Sequence, residues 1–103
     1  MKTIYKKLLF LFLILPLSAV FAQSSIKGTV LDAAVNQPLP GVNVIVQGAG
    51  NSTTTDFDGK FQLNGLKNGD VIVVSYVGYL TETIKFSGQK EIAIQLKEDS
   101  TLL

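Results

Sequence analysis

The stretch Thr53-Thr54-Thr55-Asp56-Phe57-Asp58-Gly59-Lys60-Phe61-Gln62-Leu63 constrains the fold more than any other part of the chain. A run of β-branched threonines favours extended backbone. Asp58-Gly59 marks a turn, because glycine takes positive φ without a Cβ clash. Phe61 and Leu63 then alternate about Gln62, as in a half-buried strand. A two-residue loop would pair Asp56 with Phe61. A three-residue loop ending in a left-handed Gly59 pairs Thr55 with Phe61 and keeps the Asp56 carboxylate off the Phe61 face, so the spacing predicts this second form. The remaining strands are expected to lie around this hairpin.

The first residues do not belong to the same folding unit. Lys2, Lys6 and Lys7 precede an almost wholly apolar run from Leu8 to Val20, and Val20-Phe21-Ala22 ends in a small residue. This is the pattern of a secretory signal peptide, with cleavage expected between Ala22 and Gln23. The apolar run is shorter than the roughly 20 residues that span a bilayer, and Pro16 interrupts it. Beyond residue 22 the chain has 81 residues, with six basic and eight acidic side chains and a net charge of −2. No basic patch remains, which argues against a nucleic-acid partner. A domain of this size buries one core, and with no Cys it must hold together by packing alone.

The mature chain reads as strands throughout. Ser25 to Asp32 places Ile26 and Val30 on one face. Ala33 to Pro40 is a loop, since Pro38 and Pro40 exclude a central strand. From Gly41, Val42, Val44 and Val46 alternate with Asn43 and Gln47, while Ile45 implies that the second face is partly covered. Gly48-Ala49-Gly50-Asn51 is a turn, and Asn64 to Asp70 is a loop with a turn at Lys67-Asn68-Gly69-Asp70. Val71 to Val77 contains the consecutive apolar residues Ile72, Val73 and Val74, which imply burial on both faces and a central position. Gly78, between Tyr76-Val77 and Tyr79, marks a bulge or sharp bend. Leu80 to Phe86 and Glu91 to Leu96 complete the set, the latter with Ile92, Ile94 and Leu96 facing inward. About seven short strands without helical periodicity predict an all-β, small antiparallel β-sandwich.

Four segments then occur in a familiar order: Gly28-Thr29-Val30-Leu31-Asp32, Pro38-Leu39-Pro40-Gly41-Val42-Asn43-Val44, Thr55-Asp56-Phe57-Asp58-Gly59-Lys60-Phe61 and Val74-Ser75-Tyr76-Val77-Gly78-Tyr79. Together they resemble the carboxypeptidase D regulatory-like domain, a transthyretin-like sandwich of seven strands. The version with Ser-Tyr-Val-Gly-Tyr is similar to the one at the N-terminus of SusC/RagA-type TonB-dependent outer-membrane receptors. That resemblance covers residues 23–97 and leaves 98–103 as a C-terminal tail or linker.

The resemblance implies a non-catalytic N-terminal extension domain of a nutrient receptor, here without plug and barrel. It implies export to the periplasmic side of the outer membrane, and a partner in the receptor's plug and barrel or in its energising complex. A free-standing secreted or surface adhesion or glycan-binding module is the alternative, and an accessory domain beside an enzyme is a third.

Chemistry is sparse in the side chains. The chain lacks His and Cys, so it has no histidine base, no thiol nucleophile and no ordinary zinc-ligand set. Asp56 and Asp58 offer only two carboxylates where Ca²⁺ takes about six to eight oxygens, so Asp58-Gly59 is read as the turn and Asp56 as its backbone cap. No cofactor or metal is expected, nor a small-molecule ligand. Asp58, Gly59, Phe61 and Gly78 are expected to shape the turns and core. Tyr76 and Tyr79 are the candidates for contact with a sugar or a protein partner, against the plainer role of packing at the sandwich end with a hydroxyl near solvent. Asn51-Ser52-Thr53 matches an N-glycosylation acceptor by chance, and Asp99-Ser100-Thr101 resembles a bacterial O-glycosylation tripeptide.

Overall fold

Alternating apolar residues and glycine-rich turns set the strand boundaries. The computed structural model describes residues 24–100, which form seven strands and no α-helix. They are β1 (Ser24–Asp32), β2 (Asn43–Val46), β3 (Ser52–Thr54), β4 (Lys60–Leu66), β5 (Val71–Ser75), β6 (Glu82–Lys85) and β7 (Glu91–Leu96). One sheet has the order β4-β1-β7 and the other β3-β2-β5-β6. The leader and the Ala22–Gln23 junction lie outside the described residues, as does the end of the chain after Ser100.

The core lies between the two sheets. Ile26 and Val30 of β1, with Phe61, Leu63 and Leu66 of β4, meet Val44, Val46, Ile72 and Val74 of the opposing sheet, all of them buried. Phe86, just beyond β6, is the largest side chain that is wholly enclosed. The period of two in β2 and β4 is what delivers these residues to one face.

Several features depart from the sequence expectations. The first is the pairing at the organising stretch. Asp56 and Lys60 do close a three-residue loop, since Asp56 N–H donates to Lys60 O at 2.9 Å and Gly59 N–H to Asp56 O at 2.9 Å, with Gly59 at φ 72°. The ladder stops there. Thr55 bonds across to Val42 and Gly41, whereas Phe61 pairs with Gly28. Residues 56–59 therefore form a corner at which the chain leaves one sheet for the other. The corner is favoured because both strands find longer partners elsewhere, β3 on β2 and β4 on β1.

The second departure concerns strand direction. β1 pairs β7 in parallel, Lys27 opposite Glu91 through Asp32 opposite Leu96, so the smaller sheet is mixed and not wholly antiparallel. A tight turn forces antiparallel neighbours, but β7 reaches β1 only after the whole second sheet intervenes, so either direction is open to it.

The third is the extent of β4. Asn64 to Leu66, expected as loop, continues the strand, and only Lys67–Asp70 turns. Gly65 at φ 72° supplies a bulge, where Leu63–Leu66 spans three residues against Ser24–Ile26 spanning two, and the bulge carries Leu66 into the core. On β5, Ile72 and Val74 are wholly buried but Val73 is half-buried, flanked on the outer face by Ile45 and Thr83, and Ile45 is itself exposed. Burial is thus complete on one face only.

Candidate interaction site

Four connections gather at one end of the sandwich. β1 ends at Asp32 and β2 begins at Asn43, so loop 33–42 lies there. Asn43 pairs with Ser75 and with Thr54, which places turn 76–79 and corner 55–59 beside it. β7 ends at Leu96, opposite Asp32.

Turn 76–79 is closed by Tyr79 N–H donating to Tyr76 O at 3.1 Å, with Gly78 at φ 89°. A residue with a Cβ would be strained in that left-handed conformation. The turn brings the rings of Tyr76 and Tyr79 together at a tilt, their centroids 5.8 Å apart. The Tyr79 hydroxyl is committed: it donates to Asp32 Oδ2 at 2.5 Å. Asp32, only 7% exposed, also accepts from Ala34 N–H at 2.8 Å through Oδ1. The Tyr79 hydroxyl and the Ala34 amide hold the Asp32 carboxyl below its ordinary value despite burial, and the same Asp32 bond with burial pushes the Tyr79 phenol up to about 12. Residues 98–99, assigned to the tail on sequence grounds, bond to this turn. Leu80 N–H donates to Lys97 O at 2.8 Å, Asp99 N–H to Gly78 O at 2.9 Å, and Tyr79 bridges Glu98.

Corner 55–59 is held as firmly. Asp56 Oδ1 accepts from the N–H groups of Asp58 and Lys60, both at 2.9 Å, and Asp58 itself stays exposed. The buried Thr55 hydroxyl donates to Leu39 O at 2.6 Å and accepts from Val42 N–H at 2.9 Å, tying the corner to the proline loop. Phe61 is 6% exposed and lies over Gly28, where an added Cβ would come within 2.2 Å of its ring.

Tyr76 and Tyr79 are therefore half-buried and largely engaged with the domain itself. The residues presented to solvent at this end are ones the sequence did not single out: Phe57 at 93% exposure, Val77 at 94%, Val35 at 62% and Leu80 at 47%. Val35, Phe57 and Val77 lie in turns, where an apolar side chain at the tip is the only signal for them; Leu80, expected to face inward at the start of a strand, follows the Tyr76–Tyr79 turn and is exposed because the strand begins only at Glu82.

Further concave surfaces exist. An open groove of about 700 Å³ is lined by mostly polar residues, among them Lys27, Thr29, Thr53, Asp56 and Lys60. A cleft of about 280 Å³ lies between the edge strands β6 and β7, over Ile84 and Ile92. Among the described residues no group of three or more acidic side chains has the arrangement of a metal site.

The CarboxypepD_reg-like domain matches residues 26–103. The chain belongs to that family. Among its relatives, TonB-dependent receptor P3 of Formosa agariphila is 36% identical over 95% of this chain. TonB-dependent receptor SusC of Bacteroides thetaiotaomicron is 40% identical over 86% of it. The chain spans only 10% and 8% of those receptors, so the likeness to them is confined to their regulatory-like domain.

Solved structures show the same sandwich in other settings. A cohesin–X-dockerin complex of Acetivibrio cellulolyticus contains a chain that aligns with a TM-score of 0.58 at 20% identity, covering 71% of this chain and 56% of that one. The group B streptococcus pilus 2b backbone protein aligns with a TM-score of 0.51 at 13% identity, covering 77% and 42%. These two likenesses concern the fold.

Proposed function

We propose that this regulatory-like domain is the N-terminal extension of a SusC-type TonB-dependent outer-membrane nutrient receptor. It acts on the periplasmic side, by protein contact and not by catalysis, and the residues ahead of it are its export signal. The observation that carries the reading is the pattern of coverage, nearly all of this chain against a tenth or less of the receptors, at 36–40% identity. The sandwich supports a contact role. Its exposed edge strands β6 and β7 flank an apolar cleft, a geometry that accepts an added strand. The tyrosine-bearing turn and the corner at Asp56 are braced by internal hydrogen bonds, and so form a rigid platform at one end.

The test is the coding sequence downstream of the Leu103 codon. A short strand-forming segment followed by plug and barrel sequence supports the receptor reading. A stop codon there overturns it in favour of a free-standing exported module.

A further inference from the structure

Exposed apolar side chains are not spread evenly over the sandwich. Five large ones stand out of the described surface, and four of these, Val35, Phe57, Val77 and Leu80, sit on the loops of one end. The fifth, Ile45, lies on a sheet face. The opposite end is built from Gly48-Ala49-Gly50, Lys67-Asn68-Gly69-Asp70 and Ser87-Gly88-Gln89-Lys90, and presents no large apolar tip. Isolated exposed apolar residues need no explanation, but four confined to the loops of one end, two of them almost wholly in water, supply apolar area for contact there.

The loops carrying these tips are not loose. The Val77 turn is fastened to β1 through Tyr79 and Asp32, and Gly59 N–H closes the Phe57 loop on Asp56 O. Rigid presentation lowers the entropy lost on docking.

The course of the chain selects the occupant. Asp99 is bonded to Gly78 in the turn that presents Val77, so whatever follows Ser100 starts from this same end. In the receptors that match, about nine-tenths of the polypeptide lies outside the matched region. The charged side chains around the tips are Asp56, Asp58, Glu98 and Asp99 against Lys60 and Lys97, an acidic excess that disfavours an anionic lipid surface.

We infer that the Val35–Phe57–Val77–Leu80 end is a docking face for the folded segment that follows this domain in its own polypeptide, an apolar protein surface with a basic margin. The inference rests on the receptor reading above.

The domain contains no Cys, so single cysteines placed in it are unique within it. Phe57→Cys, Val77→Cys and the opposite-end control Ala49→Cys are made in the full-length polypeptide, loaded with a maleimide–benzophenone probe in outer-membrane preparations and irradiated. Mass spectrometry then maps the linked peptides. The expected result is at least tenfold more product from positions 57 and 77 than from 49, joined to residues beyond 103 of the same chain. Equal yields from all three positions, or no product, overturn the docking face while leaving the receptor reading intact. Links to a second copy, or to a different protein, overturn the occupant. If the full-length polypeptide proves no larger than this 11.1 kDa chain, the receptor reading fails and the inference falls with it.

Discussion

A few residues show how much depends on single atoms. Gly59 has φ 72°, and a Cβ there would lie 2.6 Å from Val30 O, so both conformation and space exclude a side chain. Gly59→Val is expected to cost more than about 1 kcal/mol, read as a lower urea midpoint; an unchanged midpoint would contradict the turn. Phe61 fills the space that Gly28 leaves open, and Phe61→Ala is expected to cost about 3–5 kcal/mol, read from a thermal melt by circular dichroism. Much of that ring's role was legible, because Phe61 alternates with Gln62 in the sequence. Its partner Gly28 was not, because a glycine's empty side gives no periodic signal. The Asp32–Tyr79 bond is a pH-dependent clasp whose sign follows from both partners. Asp32 has a lowered folded value, so its contribution is present above 3.8 and lost as pH falls through that lower value. Tyr79 is raised to about 12, so its contribution is present below 10 and lost between 10 and 12. Tyr79→Phe should lower the urea midpoint at pH 8 and shrink the alkaline step expected of the parent between pH 10 and 12. A parent midpoint that stays flat between pH 9 and 12 would contradict the clasp. Tyr79 was visible as a candidate from its place beside Gly78, but its acceptor lies 47 residues away, and nothing in local spacing connects them.

At the scale of elements, the strands were legible and their partners were not. Alternation located β1, β2 and β7 closely, because each has one face in the core. The corner at Asp56 was read as a hairpin because the turn chemistry is the same in both cases. Asp-Gly with a left-handed glycine makes the reversal, and only the partners available to β3 and β4 decide that they part into different sheets. Gly65 was read as a loop marker for a similar reason, since a bulge and a turn ask the same positive φ of the backbone. Once the strands have parted, Thr55 fastens the corner, its hydroxyl serving Leu39 O and Val42 N–H at once. Thr55→Val removes both bonds, one of them to the buried Val42 N–H, at an expected cost of about 1–3 kcal/mol. Thr55→Ser should recover most of the loss. Equal urea midpoints for the Val variant and the parent would show that the hydroxyl does not hold the corner.

At the scale of the whole molecule, the chain has no cysteine, and its described residues make a thin sandwich of seven short strands around a single core, with four sheet edges. The fold class was readable because the period of two recurs between turn signals. The mixed direction of β1 and β7 was not, since chain order alone leaves it free. The candidate site was half readable. Tyr76 and Tyr79 stood out in the sequence, yet the tyrosines are mostly spent on the domain, and Phe57 and Val77 face outward in their place. The account as a whole turns on whether this domain works as the front of a receptor. The measurement that asks this most directly is an immunoblot of fractionated cells with an antibody raised against residues 23–103. The account predicts one band about ten times the size of this chain, in the outer-membrane fraction, as the coverage of the relatives implies. A small band in the periplasm or the medium would contradict it.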